Sequence, residues 1–474
     1  MFKRFASLFG AQDMTKGSPV SCLLKFSIPL LIGNIAQMLY TTADSMVVGR
    51  ILGDNALASV SASMPIQNLF LVFFVAIGSG VTVMVSQFYG ARDLDNLGAT
   101  VGNSITLIAI VSVVVTAVSA PLTVPILRLL DTAPDLFDNS KVYLFILFLG
   151  AAGNGFYNVL SGILRGLGDS IFPLLVLLGT VILNIALDIW FVSPSGLDMG
   201  IAGAAWATIL SQLLSSAVCV LKIIRIRASI HLSRASLRLR AVTVRQITRL
   251  GLPTGIQMAI MFLSNIVMQP SMMHMTGPGF EGGLVFAALG ATMRVDGFAV
   301  LPSQAFSMAA STFTGQNIGA GRMDRVKRGS ITVFLMCFAF TAVMVTAIVI
   351  FGRNVFRLFT DTEDIIQMGV NFIRIMVPAY LLMSVNMSFN GVMRGAGDAL
   401  GTMWISVLTN VILKVPLTFF IIHLTKTVDW PFGHPNAIYY AMLICMFIGG
   451  SITLLYYRLG RWKNKALVKV AAET

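Results

Sequence analysis

Charge is what this chain has least of. Of its 474 residues only 11% are Asp, Glu, Lys or Arg, less than half of the roughly 25% in an average soluble domain. A chain of this length folded in water needs far more charge to cover its surface, which excludes an ordinary soluble protein. Cysteine is also sparse: Cys22, Cys219, Cys337 and Cys445 stand far apart in apolar runs. That spacing excludes a disulfide framework or paired-thiol metal site and leaves small apolar packing groups. The four histidines are equally scattered, and no metalloprotease helix motif, phosphate-binding glycine loop or nucleophile elbow occurs. No enzyme and no cofactor are expected.

What is present is apolar, at 56% of residues, in runs of about 20 or more, the length that crosses a bilayer core. The alternating pattern of a membrane barrel is missing. The expectation is an all-α integral membrane protein with twelve transmembrane helices, at 21–48, 56–85, 99–125, 139–164, 171–193, 201–224, 250–276, 285–312, 330–352, 364–393, 401–424 and 437–458. Lys3 and Arg4 precede a brief apolar patch without a cleavage site, so no cleavable signal peptide is expected. Phe2, Phe5, Leu8 and Phe9 fit either a short interfacial helix or a frayed tail.

An even number of spans puts both termini on one side of the membrane. The great majority of loop cations then share that side, whereas Arg50, Arg128, Arg353, Arg357 and Lys426 lie opposite. By the positive-inside rule both termini are expected in the cytoplasm. The net charge of +13 therefore reads as loops facing anionic lipid. No nucleic-acid partner is expected, because the cations are spread over separate loops without an aromatic platform.

The chain also repeats itself. Ser161–Asp169, SGILRGLGD, returns as Asn390–Asp398, NGVMRGAGD, at an offset of 229. The same offset pairs Gln87, Gly90 and Ala91 with Gln316, Gly319 and Ala320, and pairs Ala62 and Met64 with Ala291 and Met293. Six helices per half give both halves the same orientation, hence a pseudo-two-fold axis along the membrane normal. The expected division is an N-terminal lobe at 1–224, a basic cytoplasmic linker at 225–248 and a C-terminal lobe at 249–474, two six-helix bundles enclosing a cleft. Because both walls of that cleft come from one chain, a monomer is expected. The two turns, Arg165, Gly166, Gly168 and Asp169 and their repeats Arg394, Gly395, Gly397 and Asp398, are assigned a structural or hinge role. Their Arg and Asp are expected either to pair with each other or to hold neighbouring helix ends.

In length, in duplication, in the paired Pro29 and Pro253 and in both RGxGD turns, the chain resembles the multidrug and toxic compound extrusion family. Ala43–Gly49 (ADSMVVG), Leu52–Ala58 (LGDNALA) and Gly200–Thr208 (GIAGAAWAT) are similar to the family's signatures. The resemblance implies export of bulky amphipathic drugs and organic cations, driven by inward flow of sodium ions or protons; the compact loops and short tail suggest a prokaryotic plasma membrane (the bacterial inner membrane). It implies an N-lobe cation site at Asp44, Asn184, Asp188 and Thr208, with no metal beyond a possible sodium ion. The C-lobe acidic residues of another branch have no counterpart; Gln257, Asn265, Gln269, Asn386 and Asn390 occupy those helices instead.

The residues themselves support that assignment. An aspartate inside a span is unfavourable by roughly 2.5–3.5 kcal/mol and is a functional candidate by default. Asn184 and Asp188, four apart, share one helix face. Two carboxylates, an amide and a hydroxyl offer hard oxygens for a small cation, or carboxyls able to exchange a proton. The alternative for Asp188 is a position facing the external headgroups beside Trp190 and Ser193. For the solute, Gln37, Tyr40, Met64, Gln67, Asn154 and Asn158 are candidates in one lobe, and Met293, Arg294 and Asp296 in the other. Arg294 and Asp296, two apart, do not share a helix face, so each needs its own polar partner or cavity, a cationic solute being one partner for Asp296. A total of 26 Met and 32 Phe suits adaptable binding. Other readings are a lipid-linked oligosaccharide flippase, which would line its cavity with more cations, and a receptor or scaffold, for which no loop is long enough.

Overall fold

The computed structural model describes residues 12–273, 275, 282–357 and 360–468, without the side chains of 265–273 and 282. Phe2–Phe9, most of the loop at 277–283, and the side chains of Asn265 and Gln269 lie outside the described residues.

The first half contains α1 (Pro19–Leu52), α2 (Asp54–Gly90), α3 (Leu94–Leu129), α4 in two pieces (α4a, Pro134–Leu149; α4b, Ala151–Gly166), α5 (Ile171–Val192) and α6 (Gly200–Arg225). The second contains α7 (Ala241–Met273), α8 (Gly282–Gly319), α9 (Met323–Arg357), α10 (Glu363–Gly395), α11 (Ala399–Leu424) and α12 (Asn436–Leu459). Among the described residues ten helices are long and apolar enough to cross a membrane, or eleven with bent α4 as one span. Only α7 falls short of that measure; it opens with the polar run containing Arg245, Gln246 and Arg249. The architecture is all-α and multi-pass.

Most helices outrun the apolar stretches that announce them, because polar residues at the ends stay helical. Asp93, for example, caps α3 by accepting from the Asn96 amide at 3.1 Å. Two expectations are corrected, and one feature of α11 is new. The fourth helix is not one rod but bends by 48° at Gly150, where an added Cβ would sit 2.2 Å from Ile209 of α6. The seventh helix begins at Ala241 rather than 250, inside the expected linker. What remains of that linker is strapped to α3: Asn103 donates to the carbonyls of Ser236 and Arg238 at 3.1 and 3.2 Å and accepts from the Arg240 amide at 2.6 Å. Finally, α11 contains a π-helical turn at Leu408–Leu413, and Ser264 of α7 donates to the Asn410 carbonyl there at 2.8 Å.

Within the first half α2 packs on α4b and α1 on α5; within the second α8 packs on α10 and α10 on α12. Between the halves α2 crosses α7 and α8, and α1 crosses α8. The glycines at those crossings lie toward the end of the bundle that carries the chain termini. A Cβ on Gly80 would meet the Ile247 carbonyl at 2.4 Å, one on Gly90 the Gln316 carbonyl at 2.0 Å, and one on Gly319 the Gln87 carbonyl at 2.0 Å. Nearer mid-depth, a Cβ on Gly297 of α8 would lie 3.0 Å from the Met38 side chain of α1.

Both RGxGD turns lie at the same end. Gly168 and Gly397 have φ of +91° and +97°, a conformation that favours glycine. Of the two roles expected for the charged residues, the turns adopt the second. Asp169 does not pair with Arg165; it accepts from the Phe172 amide at 3.0 Å and lies 3.8 Å from Lys222. Burial raises its carboxyl above the usual range, against the Phe172 amide and Lys222. Asp398 accepts from the Gly401 amide at 3.1 Å and the Tyr456 hydroxyl at 2.7 Å, while Arg394 donates to Ser307 at 2.7 Å. Each aspartate thus caps the helix that follows it, and each arginine is half-buried.

Candidate functional site

The ion-site candidates converge far from the termini. Asp44 lies eight residues before the end of α1, about 12 Å along the axis at 1.5 Å per residue. Asn184 and Asp188 occupy one face of α5, near its end, and Thr208 lies two turns into α6. Helices α1, α5 and α6 are neighbours, and Gly33 lets α1 approach α5 closely enough that a Cβ there would touch Leu174 and Leu177. All four side chains are buried, Asn184 and Asp188 completely.

The Asp44 and Asp188 carboxyls come within hydrogen-bonding reach of each other. Asp188 therefore faces inward, whereas Trp190 is 56% exposed; the headgroup-facing alternative does not describe this arrangement. Ionised carboxylates only accept hydrogen bonds, so a bare pair lacks a donor. One Asp44 oxygen, both Asp188 oxygens and both amide atoms of Asn184 are buried without a hydrogen-bond partner. Buried oxygens so clustered are strongly unfavourable unless something positive or protonated joins them. Their chemistry fits a proton held between the carboxyls or a small hard cation held by Asp44, Asp188, Asn184 and Thr208.

Two tyrosines border the cluster. Tyr40, one turn before Asp44, lies in the fields of Asp44 and Asp188 and so belongs beside the carboxyls as well as among the solute candidates. Tyr143 on α4a is buried and faces the fields of Asp44, Tyr40 and Asp188. Sequence reasoning missed Tyr143, which stands in no motif and reaches the site only through helix packing.

The remaining solute candidates divide into separate groups. Gln37 is exposed, and Met64 and Gln67 are half-buried. Asn158 donates to the Asn154 side-chain oxygen at 2.8 Å, one turn away on α4b. In the second half Asp296 accepts from the Tyr380 hydroxyl of α10, the separate partner that its spacing from Arg294 requires. Met293 and Arg294 are exposed. Asn390 donates to Asn386 on α10. Asp296 does not join the Asp44 cluster; the groups it acts on are Tyr380 and Tyr439. Among the described residues no three His, Cys, Asp or Glu converge as a metal site.

Two copies of one family model, described as MatE, match residues 29–190 and 253–420. The chain belongs to the MatE family. The two matches fall on the two repeated halves, and they enclose Asp44, Asn184 and Asp188 in the first copy. This MatE-family chain is 28% identical over 467 residues to the probable multidrug resistance protein YoeA of Bacillus subtilis (strain 168), covering 97% of each chain. With the probable multidrug resistance protein YpnP of the same organism it shares 29% identity, covering 96% of this chain and 99% of that one. A solved structure of a multidrug resistance MATE family transporter of the MOP superfamily, in an outward-facing conformation, superposes with a TM-score of 0.87 at 21% identity. That match covers 96% of this chain and 99% of the other.

Proposed function

We propose that this chain exports amphipathic, often cationic small molecules across a prokaryotic plasma membrane in exchange for inward-moving protons or sodium ions. It acts as a monomer, with both termini in the cytoplasm and lipid as its surroundings. The observation that carries the reading is the buried Asp44–Asp188 pair with unpartnered oxygens around it. A pair that must be joined by a proton or cation when buried, and that can release it when exposed, supplies the ion half of an exchanger. The solute half is assigned to Gln37, Met64, Gln67, Asn154 and Asn158 on one wall, and Met293, Arg294 and Asp296 on the other.

Close packing of the halves from mid-depth to the termini supports a state shut toward the cytoplasm, and rocking of the two halves, joined through residues 226–240, reaches the opposite one. Entry of one monovalent cation in exchange for a neutral solute releases about 2.3 kcal/mol per 100 mV, enough to move that solute uphill by tens-fold at ordinary potentials. For a singly charged solute the charges cancel, and the ion's concentration gradient supplies the drive. Coupling requires that the ion favour the state that releases the solute.

The test is dye efflux from proteoliposomes under separately imposed sodium and proton gradients. Wild type is expected to move dye under one of them, and Asp44→Asn to lose that gradient-driven component while remaining folded. Full efflux in the variant would remove Asp44 from coupling, and no efflux by wild type under either gradient would overturn the exchanger.

A further inference from the structure

Gln87 and Gln316 are equivalent in the repeat, and the ion and solute sites use neither. Both are wholly buried. On α2, Gln87 donates from Nε2 to the Gly395 carbonyl in the second RGxGD turn at 2.9 Å and accepts at Oε1 from the Leu467 amide at 2.8 Å. On α8, Gln316 donates to the Gly166 carbonyl in the first turn at 3.0 Å and accepts from the Met14 amide at 2.9 Å. Each side chain thus bridges from its own half to a turn of the opposite half, and its other end holds a terminal segment.

The terminal segments change sides to do this. Residues 12–17 lead into α1 but lie on α8 and α9. There Asn317 donates to the Met14 carbonyl at 3.2 Å, Arg322 to that of Thr15 at 2.7 Å, and Arg325 to those of Met14 and Gly17 at 3.1 and 2.8 Å. Residues 461–468 follow α12, yet Leu467 and Val468 pack against the core of the first half. Each turn glycine with positive φ touches one of these segments: a Cβ on Gly168 would lie 2.2 Å from the Gln12 carbonyl, and one on Gly397 2.6 Å from that of Lys465.

We propose that Gln87 and Gln316 form a paired latch that holds the two halves together at the cytoplasmic end, with residues 12–17 and 461–468 as its straps. The proposal rests on the alternating-access reading above. A primary amide offers donor and acceptor on one rigid group, so each glutamine fastens turn and strap together. Half-opening leaves one end of a buried amide without a partner, whereas full opening lets water serve both. The latch therefore favours all-or-none separation, and the two-fold repeat makes both sides let go together.

Spin labels at Asp95→Cys and Lys327→Cys, exposed positions in opposite halves, report the cytoplasmic separation in the full-length protein; the four native cysteines are buried. Gln87→Ala and Gln316→Ala are each expected to shift the distances from short to long, by roughly three- to tenfold in the ratio of the two populations. Leu467→Pro removes the strap's amide donor together with its apolar side chain, and leaves both helices untouched. It is expected to shift the distances in the same direction, which separates latch loss from damage to α2. Unchanged distances in all three variants would overturn the latch, whatever the efflux assay shows. A shift in the variants together with no gradient-driven efflux by wild type would keep the latch and overturn the exchanger.

Discussion

A carboxylate in a membrane span is tolerable only with company, and Asp44 and Asp188 have chiefly each other. Asp398 shows the opposite case, a carboxylate with full partners: it holds the Gly401 amide and the Tyr456 hydroxyl at the start of α11. Asp398→Ala removes a helix cap and strands a tyrosine hydroxyl, and is expected to lower stability by about 1–2 kcal/mol. Thermal unfolding in detergent would read this as a lower Tm, and an unaltered Tm would mean that the cap contributes nothing. Asp44 and Asp188 stood out in the sequence because an acidic residue within an apolar run has few innocent explanations; Asn184 and Thr208 came from the family resemblance. Tyr143 and Tyr380 were not legible, since a tyrosine in such a run looks like packing until a partner helix brings a carboxylate to it. The pairing of Gln87 with Gln316 was visible as repetition, but its meaning depended on which half each amide reaches.

At the scale of the helices, apolar runs located the spans and misplaced several ends. Hydropathy reports the part of a helix in lipid, and the backbone keeps its hydrogen-bonded ladder until a cap or turn stops it, so α2 and α8 continue well past their apolar stretches. The break at Gly150 left no mark that hydropathy could read, because the apolar sequence is continuous through it. Glycine matters here for close approach: at Gly90 there is no room for a methyl group between α2 and the Gln316 backbone. Gly90→Ala is expected to push α2 from α8 and to destabilise this arrangement by about 1–3 kcal/mol, as overpacking usually does. The variant should show a longer separation between labels at 95 and 327 than wild type; equal separation would mean that the helices absorb the methyl group.

For the whole molecule, the duplication was the most readable feature, and it carried the expectation of two like-oriented bundles. The exchange of terminal segments was not readable, because nothing in residues 12–17 or 461–468 resembles a binding motif; they bind through backbone groups whose partners lie some 300 residues away or more. The same backbone intimacy bears on what the protein does when idle. Where α2 meets α7 at Gly80 and α8 at Gly90, main chain lies against main chain, and a file of water has no groove between side chains to follow. Protons and sodium ions leak along such files, so on the proposed ion exchange this seam would keep a resting carrier from short-circuiting its driving gradient. Gly80→Ser would put a hydroxyl into the seam, and liposomes carrying that variant are expected to lose an imposed pH gradient faster than wild type with no solute present. Equal loss would locate the barrier elsewhere. Faster loss would mean that the glycines act as electrical insulation.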